Sequence, residues 1–192
     1  YVGTTTVKEQ RILPRVSAES GKEYSIEEYL NMMLVHSDNA SYEVLEQFLS
    51  DSPGRMTMRT ETFQELGLID PKDRVEATIT VRGYASLFRI LFNASYLNAE
   101  NSEKVLSWLA ETEYTEGLVA GVPENVKVAH KFGERLYANN VKELHDCGII
   151  YFPENPYLLC VMTRGSDFEE LEKLISEISR VVYEEVDSRR LQ

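Results

Sequence analysis

The sequence predicts an α+β domain whose sheet is antiparallel, on three observations. Up to Gly121 the apolar residues recur at helical spacing. After Gly121-Val122-Pro123 the period shortens to the two-residue alternation of strands. From Asp167 onward one long apolar stripe returns to the helical period. Helices first, then three strands, then a helix is the order expected of segregated α and β layers.

Each element has a local cause. Residues 1–24 read as irregular or briefly extended, with Pro14 and Gly21 as breakers. Ser25-Ile26-Glu27-Glu28 forms a capping box, in which the Ser25 hydroxyl and the Glu28 carboxylate each satisfy an orphan amide at a helix start. That helix carries Tyr29, Leu30, Met33 and Leu34 and runs to about His36. Ser37-Asp38-Asn39 interrupts it, since all three types favour caps and turns. A second helix follows through Val44, Leu45, Phe48 and Leu49. Ser52-Pro53-Gly54 reads as a turn, and a short helix from about Thr57 to Leu66 ends at Gly67. Leu68 to Thr78 is a charged loop. Thr80 caps an amphipathic helix with Leu87, Ile90, Leu91 and Ala94 inward, and a further helix spans about Ser102 to Glu111 around Val105, Leu106, Trp108 and Leu109.

Val126 to Lys131 alternates as a half-buried strand does. Cys147–Phe152 and Tyr157–Thr163 then form a hairpin about Pro153-Glu154-Asn155-Pro156. The last helix places Phe168, Leu171, Leu174, Ile175, Ile178, Val181 and Val182 on one stripe. One face of so small a sheet can pack on that helix, while its free edge needs another partner. No repeat, low-complexity tract or linker divides the chain, so residues 1–192 read as a single domain.

Composition excludes several function classes. Twenty Lys and Arg against thirty-two Asp and Glu give a net charge of −12, whereas tracking nucleic-acid phosphates needs a basic face. No apolar run approaches the roughly 20 residues of a membrane span. His36, His130 and His145 are scattered and make no metal cluster, and no motif asks for a cofactor. Cys147 and Cys160 lie on neighbouring strands of one hairpin. A disulfide needs a geometry that sequence does not supply, and the two read as buried thiols.

Two short motifs carry chemistry together: Ser37-Asp38-Asn39 at a helix break and Lys131-Phe132-Gly133 at the end of a strand. Their order and settings resemble the serine β-lactamases and the penicillin-binding D-Ala-D-Ala peptidases, which use Ser-x-x-Lys, then Ser-Asp-Asn, then Lys-Thr-Gly. The resemblance covers essentially the whole chain and is closest to the class A layout. The helix from Thr80, the Trp-bearing stretch Glu103–Leu109, the strand Val128–Gly133, the strand from Cys147 and the helix from Asp167 each resemble a family element in the same order.

The resemblance implies roles. Ser37 and Lys131 are the catalytic candidates, a hydroxyl and an ammonium that relay a proton to the leaving nitrogen. Asn39 would hold the substrate's side-chain amide. Phe132 and Gly133 would line the bound substrate, and the Glu134 backbone amide would be one oxyanion-hole donor. The implied ligand is a small-molecule β-lactam or a peptidoglycan stem peptide, with no nucleic acid and no membrane insertion of this segment. The family places such activity outside the cytoplasm.

Three departures qualify the match. No Ser-x-x-Lys occurs: Ser86-Leu87-Phe88-Arg89 has Arg, which cannot serve as a base, and lies inside a helix that matches another element. The chain therefore reads as the C-terminal portion of the domain. An upstream part would supply the nucleophile, an N-terminal helix and the outer strands. Leu68–Ile79 is too short for the family's deacylation loop, with Glu76 its sole Glu. Phe132 stands where the family has Thr or Ser, and Cys147 lies near where class A enzymes often carry a carboxylate-binding Arg. Phe132, the short loop and Cys147 favour the alternative of a non-catalytic member that keeps the fold for ligand or partner binding. An unrelated α+β interaction domain is a third reading.

Overall fold

The computed structural model describes residues 10–51, 53–68 and 79–190. The charged loop after Leu68, with Glu76, lies outside them. The fold is α+β, as the sequence predicts: among the described residues six α-helices and a three-stranded antiparallel sheet follow in the expected order. The chain divides into two compact units, residues 1–83 and 84–192.

In the first unit, α1 (Ile26–Val35) opens with the capping box read from sequence. Ser25 Oγ accepts from the Glu28 amide at 3.2 Å, and Glu28 Oε2 accepts from the Ser25 amide at 2.6 Å. Glu28 is held below the usual carboxylate range by these hydrogen bonds from Ser25. Helix α2 (Asn39–Ser50) packs on α1 through Tyr29, Met32, Ala40, Val44 and Leu45, with Ala18 joining the same core. Helix α3 (Pro53–Glu65) starts four residues earlier than the sequence suggests. Proline is tolerated in a first helical turn, where its missing N–H has no intrahelical partner in any case, so Pro53-Gly54 lies in a helix rather than a turn. The helix stops at Gly67 in a Schellman motif: φ is +67°, the Leu68 amide reaches the Phe63 carbonyl, and the Gly67 amide reaches the Gln64 carbonyl.

Helix α4 (Val81–Phe92) is capped by Thr80 Oγ1, which accepts from the Gly83 amide at 3.1 Å. In the second unit this helix buries Phe88, whereas Leu87, Ile90 and Leu91 are only half-buried. Helix α5 (Ala99–Leu109) begins at an Asn98 cap and buries Leu106 and Leu109.

Strands β1 (Val128–Leu136), β2 (Lys142–Ile150) and β3 (Tyr157–Gly165) pair in that order. β1 runs five residues past Lys131, so Lys131-Phe132-Gly133 is mid-strand and not at a strand end. The polar run Glu134–Leu136 pairs with Lys142–Leu144, which local alternation did not reveal. Cys147 stands directly opposite both Lys131 and Cys160. With their Cα atoms 4.0 Å apart, Cys147 and Cys160 form a disulfide, which corrects the reading of two thiols.

Helix α6 (Phe168–Arg190) covers one sheet face with Phe168, Leu171 and Ile175. Leu174 and Val181, expected on its inward stripe, are exposed. Ser179 is buried instead, donating to the Leu118 carbonyl at 2.8 Å, where Gly121 leaves no room for a Cβ beside α6. Among the described residues no helix is long and apolar enough to cross a membrane.

Candidate active site

The candidate residues fall into two sets. Ser37 and Asn39 sit together in the first unit; Lys131, Phe132, Gly133 and Glu134 are consecutive on β1 in the second.

Ser37 links α1 to α2 with φ +54°, a left-handed conformation that a residue with a Cβ adopts only under constraint. The constraint is Asp38. Its side chain is fully buried and accepts from Ser17 Oγ at 2.6 Å, the Ala18 amide at 3.0 Å, the Ser41 amide at 2.8 Å, Ser41 Oγ at 2.6 Å and the Ala40 amide at 3.3 Å. Burial pushes this carboxyl up, but the hydrogen bonds from Ser17, Ser41 and Ala18 together hold it below its ordinary value. One carboxylate thus caps α2, ties down residues 17–18 and fixes the turn at Ser37. Asn39, the first residue of α2, is half-buried.

On β1, alternation puts Lys131 and Gly133 on one sheet face and His130, Phe132 and Glu134 on the other. Lys131 Nζ donates to the Phe132 carbonyl at 3.0 Å and lies 4.5 Å from the centre of the Phe132 ring. Tyr84 donates its hydroxyl to the Lys131 carbonyl at 2.7 Å. Burial pushes the Lys131 ammonium down to about 8, against the opposing pull of the Asp146 and Glu134 carboxylates. An ammonium with that acidity gives up a proton near neutral pH far more readily than an exposed lysine. Phe132 is buried, its ring 4.3 Å from that of Tyr114. A Cβ added at Gly133 would meet nothing within 4 Å, so the sheet is open there.

From the sequence His130 is only one of three scattered histidines, and no motif there marks Asp146. In the structure the two are a buried pair, His130 Nδ1 lying 2.8 Å from Asp146 Oδ1. Asp146 Oδ2 accepts from the Leu118 amide at 2.9 Å, and Thr112 Oγ1 donates to the His130 carbonyl at 3.0 Å. A legible signal existed: an Asp at an inward position of the apolar strand Leu144–Ile150. Among the described residues no group of His, Cys, Asp and Glu is arranged to hold a metal ion.

Comparison with known proteins agrees with this arrangement of elements. The structure is similar to PBP-A, with a TM-score of 0.70 at 21% identity over 89% of this chain and 64% of that one. It is similar to a class A β-lactamase from Bacteroides cellulosilyticus, with a TM-score of 0.70 at 19% identity over 84% and 63%. It also resembles the class A β-lactamase of the last common ancestor of Gram-negative bacteria, with a TM-score of 0.70 at 20% identity over 86% and 67%. The chain thus spans just under two thirds of the length of the first two. Among curated proteins nothing matches. The family model described as "Beta-lactamase enzyme family" matches residues 4–186. With nearly its whole length matched, the chain belongs to the beta-lactamase enzyme family.

Proposed function

We propose that the protein is a serine hydrolase working through an acyl-enzyme on β-lactams or D-Ala-D-Ala peptides, and that residues 1–192 are the larger, C-terminal part of its domain. The observation that carries the reading is Lys131, an enclosed ammonium of lowered proton affinity on β1, two positions from an open glycine. Family membership supports it, as does the similarity to a PBP-A variant solved as an acyl-enzyme complex with penicillin G (TM-score 0.69, 21% identity).

In this proposal an upstream serine passes its hydroxyl proton to the lysine of the same Ser-x-x-Lys segment as its oxygen bonds to the substrate carbonyl carbon, and the carbonyl oxygen becomes an oxyanion. The Glu134 amide stabilises it, a type of contact worth about 3 to 4 kcal/mol. Collapse breaks the carbon–nitrogen bond. The leaving nitrogen takes up a proton, for which the Ser37 hydroxyl and the Lys131 ammonium are the candidate donors. Asn39 holds the substrate's amide and Gly133 lets the substrate lie along β1. Water then cleaves the ester. Phe132 brings no hydroxyl to the substrate carboxylate, a loss of about 1.5 to 3 kcal/mol relative to a Thr. That substitution, with the ring buried against Tyr114, is what favours a non-catalytic, ligand-binding member as the second reading.

We place the protein outside the cytoplasm, a proposal supported by the Cys147–Cys160 disulfide, since such bonds persist in oxidising compartments. A fluorescent penicillin added to the full-length protein tests the main reading. Covalent labelling that Ser37→Ala and Lys131→Met slow at least tenfold is expected. An unlabelled protein that nevertheless carries an upstream Ser-x-x-Lys would overturn it.

A further inference from the structure

We infer that Arg135 and Arg164, stacked on the Tyr137 ring, form an anion subsite beside Gly133 that selects substrates with a carboxylate on the acyl side of the scissile bond. The inference rests on the proposed acyl-enzyme reading and deepens it by naming a substrate class. Strand alternation and register put Lys131, Gly133 and Arg135 of β1 on one sheet face with Glu143 of β2 and Arg164 of β3. Helix α6 covers the other face, where Phe168 lies against Lys142 and Leu171 against Gly165. A Cβ built at Gly133 has no neighbour within 4 Å, so a ligand lying along β1 past Lys131 has room to reach Arg135.

A set of short contacts gathers the two guanidiniums at one place. Tyr137 donates its hydroxyl to Glu143 Oε2 at 2.9 Å, which fixes the ring at the end of the sheet. The Arg135 guanidinium lies 5.2 Å from the centre of that ring and the Arg164 guanidinium 5.6 Å, both within the range of a cation–π contact. Arg164 Nε is also 3.8 Å from Glu143 Oε1, whereas Arg135 forms no ion pair with a described residue. Two guanidiniums thus share one carboxylate, and one positive charge is left over. His145, opposite Gly133, is pushed down by burial and adds no charge at neutral pH. Both arginines face solvent, Arg164 with 64% of its side chain exposed, so their planar forks can meet a carboxylate oxygen. In a chain of net charge −12, surplus positive charge on this face is a local exception.

The proposed chemistry decides which end of the substrate arrives there. The oxyanion sits at the Glu134 amide and the carboxylate next to the leaving nitrogen lies back toward Lys131 and Phe132. The acyl substituent therefore runs on toward Arg135. Four residues of extended strand separate Lys131 from Arg135, about 13 Å, so the arginines meet a carboxylate of their own.

The test compares two penicillins on the full-length protein by intact mass: benzylpenicillin and α-carboxybenzylpenicillin, which differs only by a carboxylate on its acyl arm. The carboxylated compound should acylate about fivefold faster, as a contact at the upper end of the exposed ion-pair range gives. Arg135→Gln with Arg164→Gln should bring the ratio of the two rates to about one, and either change alone should lower it. Arg135→Lys with Arg164→Lys keeps the charge and should retain a preference. A ratio of one in wild type, or a preference undiminished in the folded Gln variants, overturns the subsite while acylation itself upholds the catalytic reading. A second readout needs no acylation. The Arg135 and Arg164 Nε–Hε signals, assigned by their loss in the single variants, are followed by NMR as the acyl arm alone is added. They should shift with phenylmalonic acid monoamide, which carries the carboxylate, and stay in place with phenylacetamide, which lacks it. Such shifts in a protein that neither penicillin labels overturn the catalytic reading and leave the subsite standing. Signals unmoved by both probes overturn the subsite.

Discussion

Replacing Lys131 by Met should make the protein more stable at neutral pH. Burial lowers the ammonium from 10.5 to about 8. Below pH 8 the lysine is protonated whether the chain is folded or not, and the folded state carries the whole penalty, about 3 kcal/mol at roughly 1.4 kcal/mol per pH unit. Between about 8 and 10.5 the unfolded chain binds more protons than the folded one, so wild-type stability rises with pH across that window. Met keeps the apolar stem and removes the charge, at the loss of the hydrogen bond to the Phe132 carbonyl, about 1.5 kcal/mol. The expected net gain is about 1 to 2 kcal/mol at pH 7, or roughly 3 to 6 °C in Tm for a chain of this size. Urea unfolding of both proteins at half-unit steps from pH 6.5 to 10 measures it. The difference should be largest below pH 8 and shrink above it. A variant less stable than wild type at pH 7, or a difference that does not change with pH, would refute the claim that the ammonium is held against its solvation.

Three further outcomes are expected. Asp38→Ala strips five hydrogen bonds from a buried turn and should cost about 2 to 4 kcal/mol by chemical denaturation. In wild type the contribution of Asp38 is present above its ordinary carboxyl value and is lost as pH falls through its lower folded value, so the two proteins should converge in acid. Ala94 ends α4 at φ +46°, with the Ser95 amide bonded to the Ile90 carbonyl; Ala94→Gly removes the Cβ strain and should stabilise by about 0.5 to 1 kcal/mol in thermal melts. Reducing the Cys147–Cys160 disulfide, whose ends are 13 residues apart, frees the unfolded chain and should lower stability by about 3 kcal/mol, a loss absent in a Cys147→Ala, Cys160→Ala double variant.

What could be read in the sequence was what local chemistry decides. The Ser25–Glu28 box, the Gly67 stop and the Thr80 cap each follow from side chains within three or four residues of the helix end they serve. The apolar runs gave the three strands and their hairpin, and the two short motifs gave the family resemblance that the comparisons bear out. Features set by strand pairing were not legible. β1 continues through Glu134 and Arg135 because β2 offers Leu144 and Glu143 opposite them, not because those residues alternate. Likewise, opposite Cys147 and Cys160 form a disulfide only once the register of β2 on β3 is fixed. Asp38 was legible as a helix cap, whereas its bonds to Ser17 and Ala18 join segments about twenty residues apart. The same holds for His130 and Asp146, two unremarkable positions until the sheet brings them together.

The most direct test is the rate at which benzylpenicillin adds to the full-length protein, followed by intact mass. The account predicts a gain of one penicillin per chain, with Lys131→Met folded, more stable and slowed at least tenfold. Acylation at an unchanged rate in that folded variant would contradict it.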